Sequence, residues 1–253
     1  MDQFLIDTHA HLCATVFDHD RQEVIDRAQA AGIGAIVIVG ETLDDARRNV
    51  VLAEEFPCLK AAAGLYPEYA DMEEADRVHD FIRKQSETLY AIGEVGLDFW
   101  IAKAEPARDV QRMVFGQFIQ LAAELALPLN VHSRSAGRHA VAMLLENNAA
   151  RVQMHGFDGR AAAALPAVEA GYFFSIPPSI VRSRQKQKLV KQLPLSCLLL
   201  ESDSPVLGPD PQKRNEPANL PAALQAIANI KNIACEEVQE AVRENTRKLY
   251  GDL

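Results

Sequence analysis

The stretch Ile6-Asp7-Thr8-His9-Ala10-His11-Leu12, preceded by the apolar Phe4-Leu5, decides how the rest of the chain is read. Phe4 to Ile6 reads as a short strand. In an extended backbone residues two apart face the same way, so His9 and His11 present two imidazoles about 7 Å apart along one face. Such a pair is a natural start for a metal site, because imidazole is the commonest metal-binding side chain. Four later segments repeat the design of an apolar run ending in a ligand side chain: Ala91 to Asp98 with Glu94, Leu129 to Arg134 with His132, Val152 to Phe157 with His155, and Leu199 to Pro205 with Asp203.

These segments belong to a regular alternation. Short β-type runs occur at Phe4 to Ile6, Ala35 to Val39, Leu59 to Ala63, Tyr90 to Glu94, Leu129 to His132, Val152 to His155, Tyr172 to Ile176 and Cys197 to Glu201. Between them the spacing predicts helices over about Asp20 to Ala31, Leu43 to Glu55, Glu73 to Ser86, Arg108 to Leu127, Ala136 to Asn147, Arg160 to Ala170, Ser179 to Gln192 and Leu220 to Ile230, with a ninth from Glu236 to Leu249. In the fourth helix Val110, Met113, Val114, Gln117, Phe118 and Leu121 fall at spacings of three and four, which predicts a stripe against a sheet. Parallel strands need crossovers of this length, and eight strand-helix units close into an α/β TIM barrel, (β/α)₈. An open doubly wound sheet is the competing arrangement. Ligands at the ends of strands 1, 4, 5, 6 and 8 favour closure, since only closure brings the first and last strands together. No composition break divides the chain, so residues 1–253 are expected to form a single domain.

Composition sets the bounds. Hydrophobic residues make up 48% and charged residues 24%, a soluble globular balance, and the net charge is −9. An acidic surface repels polyanions, so attraction for a phosphate-bearing substrate must be local. Cys13, Cys58, Cys197 and Cys235 show no paired spacing and read as reduced thiols of a cytoplasmic protein, with Cys13 a packing residue rather than a ligand. No apolar stretch is long enough to cross a bilayer, and neither a membrane nor an obligate protein partner is expected.

At the mouth of a barrel His9, His11, Glu94, His132, His155 and Asp203 would meet. Four imidazoles and two carboxylates exceed the needs of one tetrahedral ion and suit two divalent ions sharing a carboxylate. Glu94 is the expected bridge, coming from the strand between the two histidine pairs. Asp203 is expected to touch the first ion and to accept a proton from its water. His19, His79 and His139, beside or within helices, are expected to face solvent. Arg134, Arg138, Arg160, Arg182 and Lys213-Arg214-Asn215 follow the ligand ends of strands and predict a basic crescent for phosphate, with Arg134 and Arg214 its main members. Phe99 and Trp100 either stack on a base or plug the mouth.

The ordered set Ile6 to His11, Gly93-Glu94-Val95-Gly96-Leu97-Asp98, Val131-His132-Ser133-Arg134, His155-Gly156-Phe157-Asp158-Gly159, Glu201-Ser202-Asp203-Ser204-Pro205, Arg214-Asn215-Glu216-Pro217 and Asn245-Thr246 resembles the motifs of the TatD family of metal-dependent deoxyribonucleases. The stretches Val131 to Arg138, Phe157 to Arg160 and Gly171 to Leu195 further resemble a TatD subgroup also found in animals. The resemblance implies a barrel of the metal-dependent hydrolase type, two divalent ions (Zn²⁺, Mn²⁺ or Mg²⁺), and hydrolysis of phosphodiester bonds in DNA; ligands at the base of the barrel loops in a chain of net charge −9 add the expectation that single-stranded or frayed ends are trimmed. It carries over the ligands His9, His11, Glu94, His132, His155 and Asp203; Glu94 and Asp203 are the expected catalytic residues, and Arg134, Arg214 and Asn215 of the crescent, with Tyr66, are the expected substrate contacts. The family usually has Gly-x-His-Pro after the third strand, whereas Gly64-Leu65-Tyr66-Pro67 places Tyr66 there. The competing expectation is a hydrolase of a small amide, lactone or ring C–N bond, which uses the same activated water but needs no arginine crescent.

Overall fold

The computed structural model describes residues 4–253, so residues 1–3 of the expected domain lie outside the described part. Eight strands form one parallel sheet in chain order: β1 (Leu5–Ala10), β2 (Ile33–Ile38), β3 (Leu59–Ala63), β4 (Ala91–Gly96), β5 (Leu129–His132), β6 (Val152–Met154), β7 (Phe173–Ile176) and β8 (Leu198–Leu200). Helices α1 (Arg21–Ala30), α2 (Leu43–Glu55), α3 (Met72–Lys84), α4 (Glu105–Leu125), α5 (Gly137–Glu146), α6 (Ala161–Glu169) and α7 (Arg184–Gln192) lie between successive strands. After β8 come α8 (Leu220–Lys231) and α9 (Cys235–Tyr250).

The sheet curls into a nearly closed barrel, and the seam is made by hydrogen bonds at the ends of β1 and β8. Thr8 Oγ1 donates to Leu200 O at 2.8 Å, and Asp7 Oδ1 accepts from Ser202 N at 2.8 Å. Beyond β8, Asp203 N donates to His9 O (2.9 Å) and His11 N donates to Ser204 O (2.8 Å). The seam therefore joins the segments that carry three of the expected ligands.

Strand alternation divides the interior. Ile36, Ile38, Ala61, Ala63, Ile92, Leu198 and Leu200 pack with the helices in the larger cluster. Their neighbours Val37, Val39, Ala62, Ala91 and Leu199 form a second cluster with Leu249 and Tyr250 of α9. Both faces are covered, which explains why the strands read as continuous apolar runs. Helix α9 is fixed to the last strand by Asn245, whose Nδ2 donates to Leu195 O and Leu198 O at 2.9 Å each.

Two helices differ from expectation. The buried stripe of α4 is Gln111, Val114, Phe115, Phe118, Ile119, Leu121 and Ala122, while Met113 is exposed. The helix is rotated because Gln111 turns inward: its Oε1 accepts from Asp98 N (2.9 Å) and its Nε2 donates to Pro67 O (3.0 Å). The segment expected to be helical from Ser179 instead makes a 3-10 turn over Pro178–Val181, and α7 starts at Arg184. Ser183 caps it by accepting from Lys186 N.

At the mouth β4 and β5 approach too closely for any side chain. Gly96 has φ +143°, and a Cβ there would stand 2.0 Å from the His132 carbonyl oxygen. Gly96→Ala is therefore expected to lower stability by about 2 kcal/mol, the usual scale for a backbone conformation that side chains avoid. Urea unfolding measures it, and an unchanged midpoint would show that the strands separate freely.

Candidate metal centre

All six expected ligands meet at the mouth, and all but His11, which is partly buried, are buried. His9 and His11 leave β1 with their Nε2 atoms 3.1 Å apart. Asp203 Oδ1 lies 3.5 and 3.7 Å from these two nitrogens, and Glu94 Oε2 lies 3.7 and 3.3 Å from them. The edge of a tetrahedron around an ion with bonds of about 2.1 Å is ~3.4 Å, and two sets of side chains bring their donor atoms close enough to share a divalent cation, His9 with His11 and Asp203, and His9 with Glu94 and His155. The other oxygen of Glu94 faces the opposite pair. Its Oε1 is 2.6 Å from His132 Nδ1 and 3.5 Å from His155 Nε2.

Each of three rings is oriented by an acceptor on its far nitrogen. Asn130 spends its Nδ2 on Thr8 O and the Tyr250 hydroxyl, so its Oδ1 accepts from His9 Nδ1 at 2.8 Å. Glu201 Oε2 accepts from His155 Nδ1 at 2.8 Å, and Asp98 Oδ2 accepts from His132 Nε2 at 3.1 Å. With a cation at the centre the inward nitrogens would carry the lone pairs, the arrangement that metal-binding histidines adopt, whereas without one the 2.6 Å contact of His132 Nδ1 with Glu94 Oε1 holds a proton.

The electrostatics agree. Burial disfavours charge on His11, but its hydrogen bond to Glu94 and the charges of Glu94, Asp203 and Glu41 raise its pKa to about 9. Burial acts the same way on His132, where Glu94 and Asp98 raise it to about 9. His9 goes down to about 3 through burial and the neighbouring His155. Burial pushes Asp203 up to about 6 against His155 and His11, whereas Glu94 stays well below the usual range despite burial because His132, His155 and His11 surround it. The carboxylate field that draws protons to His11 and His132 also favours a divalent cation in their place.

A cavity of about 570 Å³ opens above the ligands. Tyr66 and Arg134 line it, as expected for the substrate. The Tyr66 hydroxyl donates to Asp98 Oδ2 at 3.2 Å, and burial raises its pKa, so it remains a neutral donor. The exposed Arg134 guanidinium lies 4.9 Å from the exposed Trp100 ring, while Phe99 is buried under Arg108 and does not line the cavity. Arg214 and Asn215 are not brought to the cavity. Arg214 donates to both Asp20 oxygens and to Val16 O, over the Phe17 ring. Asn215 is buried, its Nδ2 on Ser202 O and Val206 O and its Oδ1 on Asn219, so it shapes the loop that carries Asp203. His19 and His139 face solvent as expected. His79 does not: it is buried, its ring edge-on to Phe118 at 4.4 Å, because the α3 face that carries it packs on α4.

Residues 6–251 match the family described as TatD related DNase. The chain belongs to that family. It is 45% identical to the human deoxyribonuclease TATDN3 (Homo sapiens), over 98% of this chain and 95% of the relative. It is 31% identical to the 3'-5' ssDNA/RNA exonuclease TatD of Erwinia tasmaniensis, over 98% and 100%. The crystal structure of the TatD homolog YJJV from Escherichia coli superposes with a TM-score of 0.91 at 26% identity, covering 100% of this chain and 99% of that one.

The sequence motifs assign no role to several residues of this TatD-family centre, although Glu201 and Asp158 stand within those motifs. Asn130, Gln153, Ser175, Glu201 and Tyr250 form the layer beneath the ligands, and Glu41, Asp158, Gln185 and Lys186 line the cavity. A signal existed for three of them: Asn130, Gln153 and Glu201 stand two residues before His132, His155 and Asp203, the offset that puts side chains on one face of a strand. The cavity-lining side chains of α7 have no such signal. Glu201→Gln is expected to weaken Mn²⁺ binding about ten- to hundredfold, measured by competition with a chelating dye. Wild-type affinity in that variant would show that His155 is oriented without Glu201.

Proposed function

We propose that this chain is a metal-dependent hydrolase that cleaves phosphodiester bonds in DNA, trimming single-stranded or frayed ends, with two divalent ions (Zn²⁺, Mn²⁺ or Mg²⁺) held by six side chains. The observation that carries the two-ion reading is the division of the Glu94 carboxylate: Oε2 faces His9 and His11, and Oε1 faces His132 and His155. His9, His11, Glu94 and Asp203 would hold one ion; Glu94, His132 and His155 the other. Ions bound there supply an acidified water and neutralise charge on the phosphate.

The protein groups do the rest. Asp203, fixed by its N–H on His9 O, takes the proton of the attacking water on its carboxylate. Tyr66 donates from a neutral hydroxyl, and Arg134, which has no ion-pair partner among the described residues, binds a phosphate at the rim. The depth of the ligands selects the substrate. They sit at the base of the cavity at most 12% exposed, so an intact duplex is too wide to bring its backbone to them, whereas a flexible end threads in. Four free cysteines support a cytoplasmic setting, and among the described residues no helix is long and apolar enough to cross a membrane.

Metal content tests the bridge: Glu94→Ala is expected to lose both ions and His155→Ala mainly one, and two tightly held ions in Glu94→Ala would remove the bridging role. Asp203→Asn is expected to lower kcat by about a hundredfold with little change in KM. A wild-type kcat there would place proton transfer elsewhere. With end-labelled single strands and closed circular duplex as parallel substrates, shortening of the former is expected, and efficient nicking of the circle would contradict the threading of ends.

A further inference from the structure

Besides the ligands, the cavity contains a buried cation that belongs to none of the strand-end motifs. Lys186 stands in the first turn of α7, is 7% exposed and lines the cavity. Its Nζ makes one hydrogen bond, donating to Gly156 O at 2.9 Å. An ammonium has three donors, and among the described residues no other acceptor and no carboxylate at ion-pair distance meets Lys186. A buried charge left without a partner is costly unless a ligand completes it. Burial pulls the Lys186 pKa down, while the charges of Glu201, Asp203 and Asp158 push it back up.

The position is specific. Gly156 follows His155, so the ammonium is anchored beside the half of the centre served by Glu94 Oε1. The flank above it is basic: from Gly159 to Gln192 there are six arginines and lysines and one acid, Glu169, in a chain of net charge −9. Arg214, the other expected anchor for phosphate, is tied to Asp20.

We propose that Lys186 is the phosphate-binding cation of the cavity, donating to a non-bridging oxygen of the nucleic-acid phosphate next to the His132–His155 side. The proposal rests on the phosphodiesterase reading and deepens it, because a buried ammonium discriminates an anionic diester from a neutral amide. Arg134 then holds the strand at the rim and Lys186 holds it at depth.

The test compares wild type, Lys186→Met and Lys186→Arg, each loaded with Mn²⁺, by titration with inorganic phosphate and by cleavage of a single-stranded oligonucleotide. Lys186→Met is expected to weaken phosphate binding about ten- to hundredfold. It is also expected to raise KM more than it lowers kcat, and to make the salt dependence of kcat/KM shallower by about 0.7 in log-log slope. Lys186→Arg retains most of the phosphate affinity. Mn²⁺ content stays at the wild-type level and the Tm is unchanged or higher, since an unpaired buried charge has been replaced by an apolar side chain. Phosphate affinity equal to wild type in Lys186→Met overturns the proposal. So does a Lys186→Met chain that loses Mn²⁺ and melts lower, for Lys186 would then be a strut between α7 and Gly156. If wild type binds phosphate through Lys186 yet cleaves no oligonucleotide, the nuclease reading fails and the phosphate site stands; cleavage with no effect of Lys186 on phosphate gives the reverse.

Discussion

Glu94 places a carboxylate, 2% exposed, between two pairs of imidazoles, and the fold is arranged to make that burial tolerable. A buried carboxylate without partners is one of the most unfavourable groups a protein can hold, so each oxygen must be matched on its own side. Matching requires β1, β4, β5 and β6 to end at one point, and the loop after β8 to lie against β1. A closed parallel barrel meets both conditions, because it brings every C-terminal strand end to one rim and its first strand beside its last. The local backbone serves the same end: Gly96 lets β4 come against the His132 carbonyl, where any side chain would push the two ligand strands apart.

Holding the carboxylate is only half of the problem, since the rings must also keep their inward nitrogens aimed. A continuous chain of hydrogen bonds does this beneath the ligands. It runs from His9 to Asn130, through the Tyr250 hydroxyl to Gln153, on to Ser175 and Glu201, and back up to His155. Five elements contribute, including the last residue of α9. The C-terminal helix thus reaches the centre from below, which gives the close packing of Leu249 and Tyr250 in the inner cluster a functional consequence. Every donor in the chain has an acceptor, and such networks are rigid because breaking one link strands a buried polar group.

The strands were legible as apolar runs at regular intervals, the six side chains that meet at the mouth because five of those runs end in a side chain able to chelate, and α2 matched its expected span from Leu43 to Glu55. The underlying layer was less legible. Asn130 and Gln153 are polar residues inside apolar strands, a pattern that marks inward-facing partners only once the ligands two residues on are placed. Met113 and Gln111 show the limit of periodicity: the apolar stripe predicted one rotation of α4, and two hydrogen bonds to Gln111 set another. His79 shows that a histidine amid acids on a helix still packs inward when the facing residue is Phe118. For Arg214, a position in a loop after β8 says nothing of Asp20, which is nearly two hundred residues earlier and reaches it only in the folded barrel.

The distribution of charge then narrows what the mouth admits. A protein of net charge −9 offers a polyanion little to hold along its surface, and surface arginines such as Arg27, Arg83 and Arg112 are already paired with carboxylates. The unpaired cations that line the cavity are Arg134 at the rim, stacked on Trp100, and Lys186 at depth beside Gly156. Attraction for phosphate is therefore graded inward, from an exposed arginine to a buried lysine to the ligand cluster. A single strand entering an end at a time would gain at each step, whereas a duplex would find cations on the flank between Gly159 and Gln192 and could not follow them to depth. The proposed selectivity for flexible ends thus rests on where the cations are absent as much as on where they are.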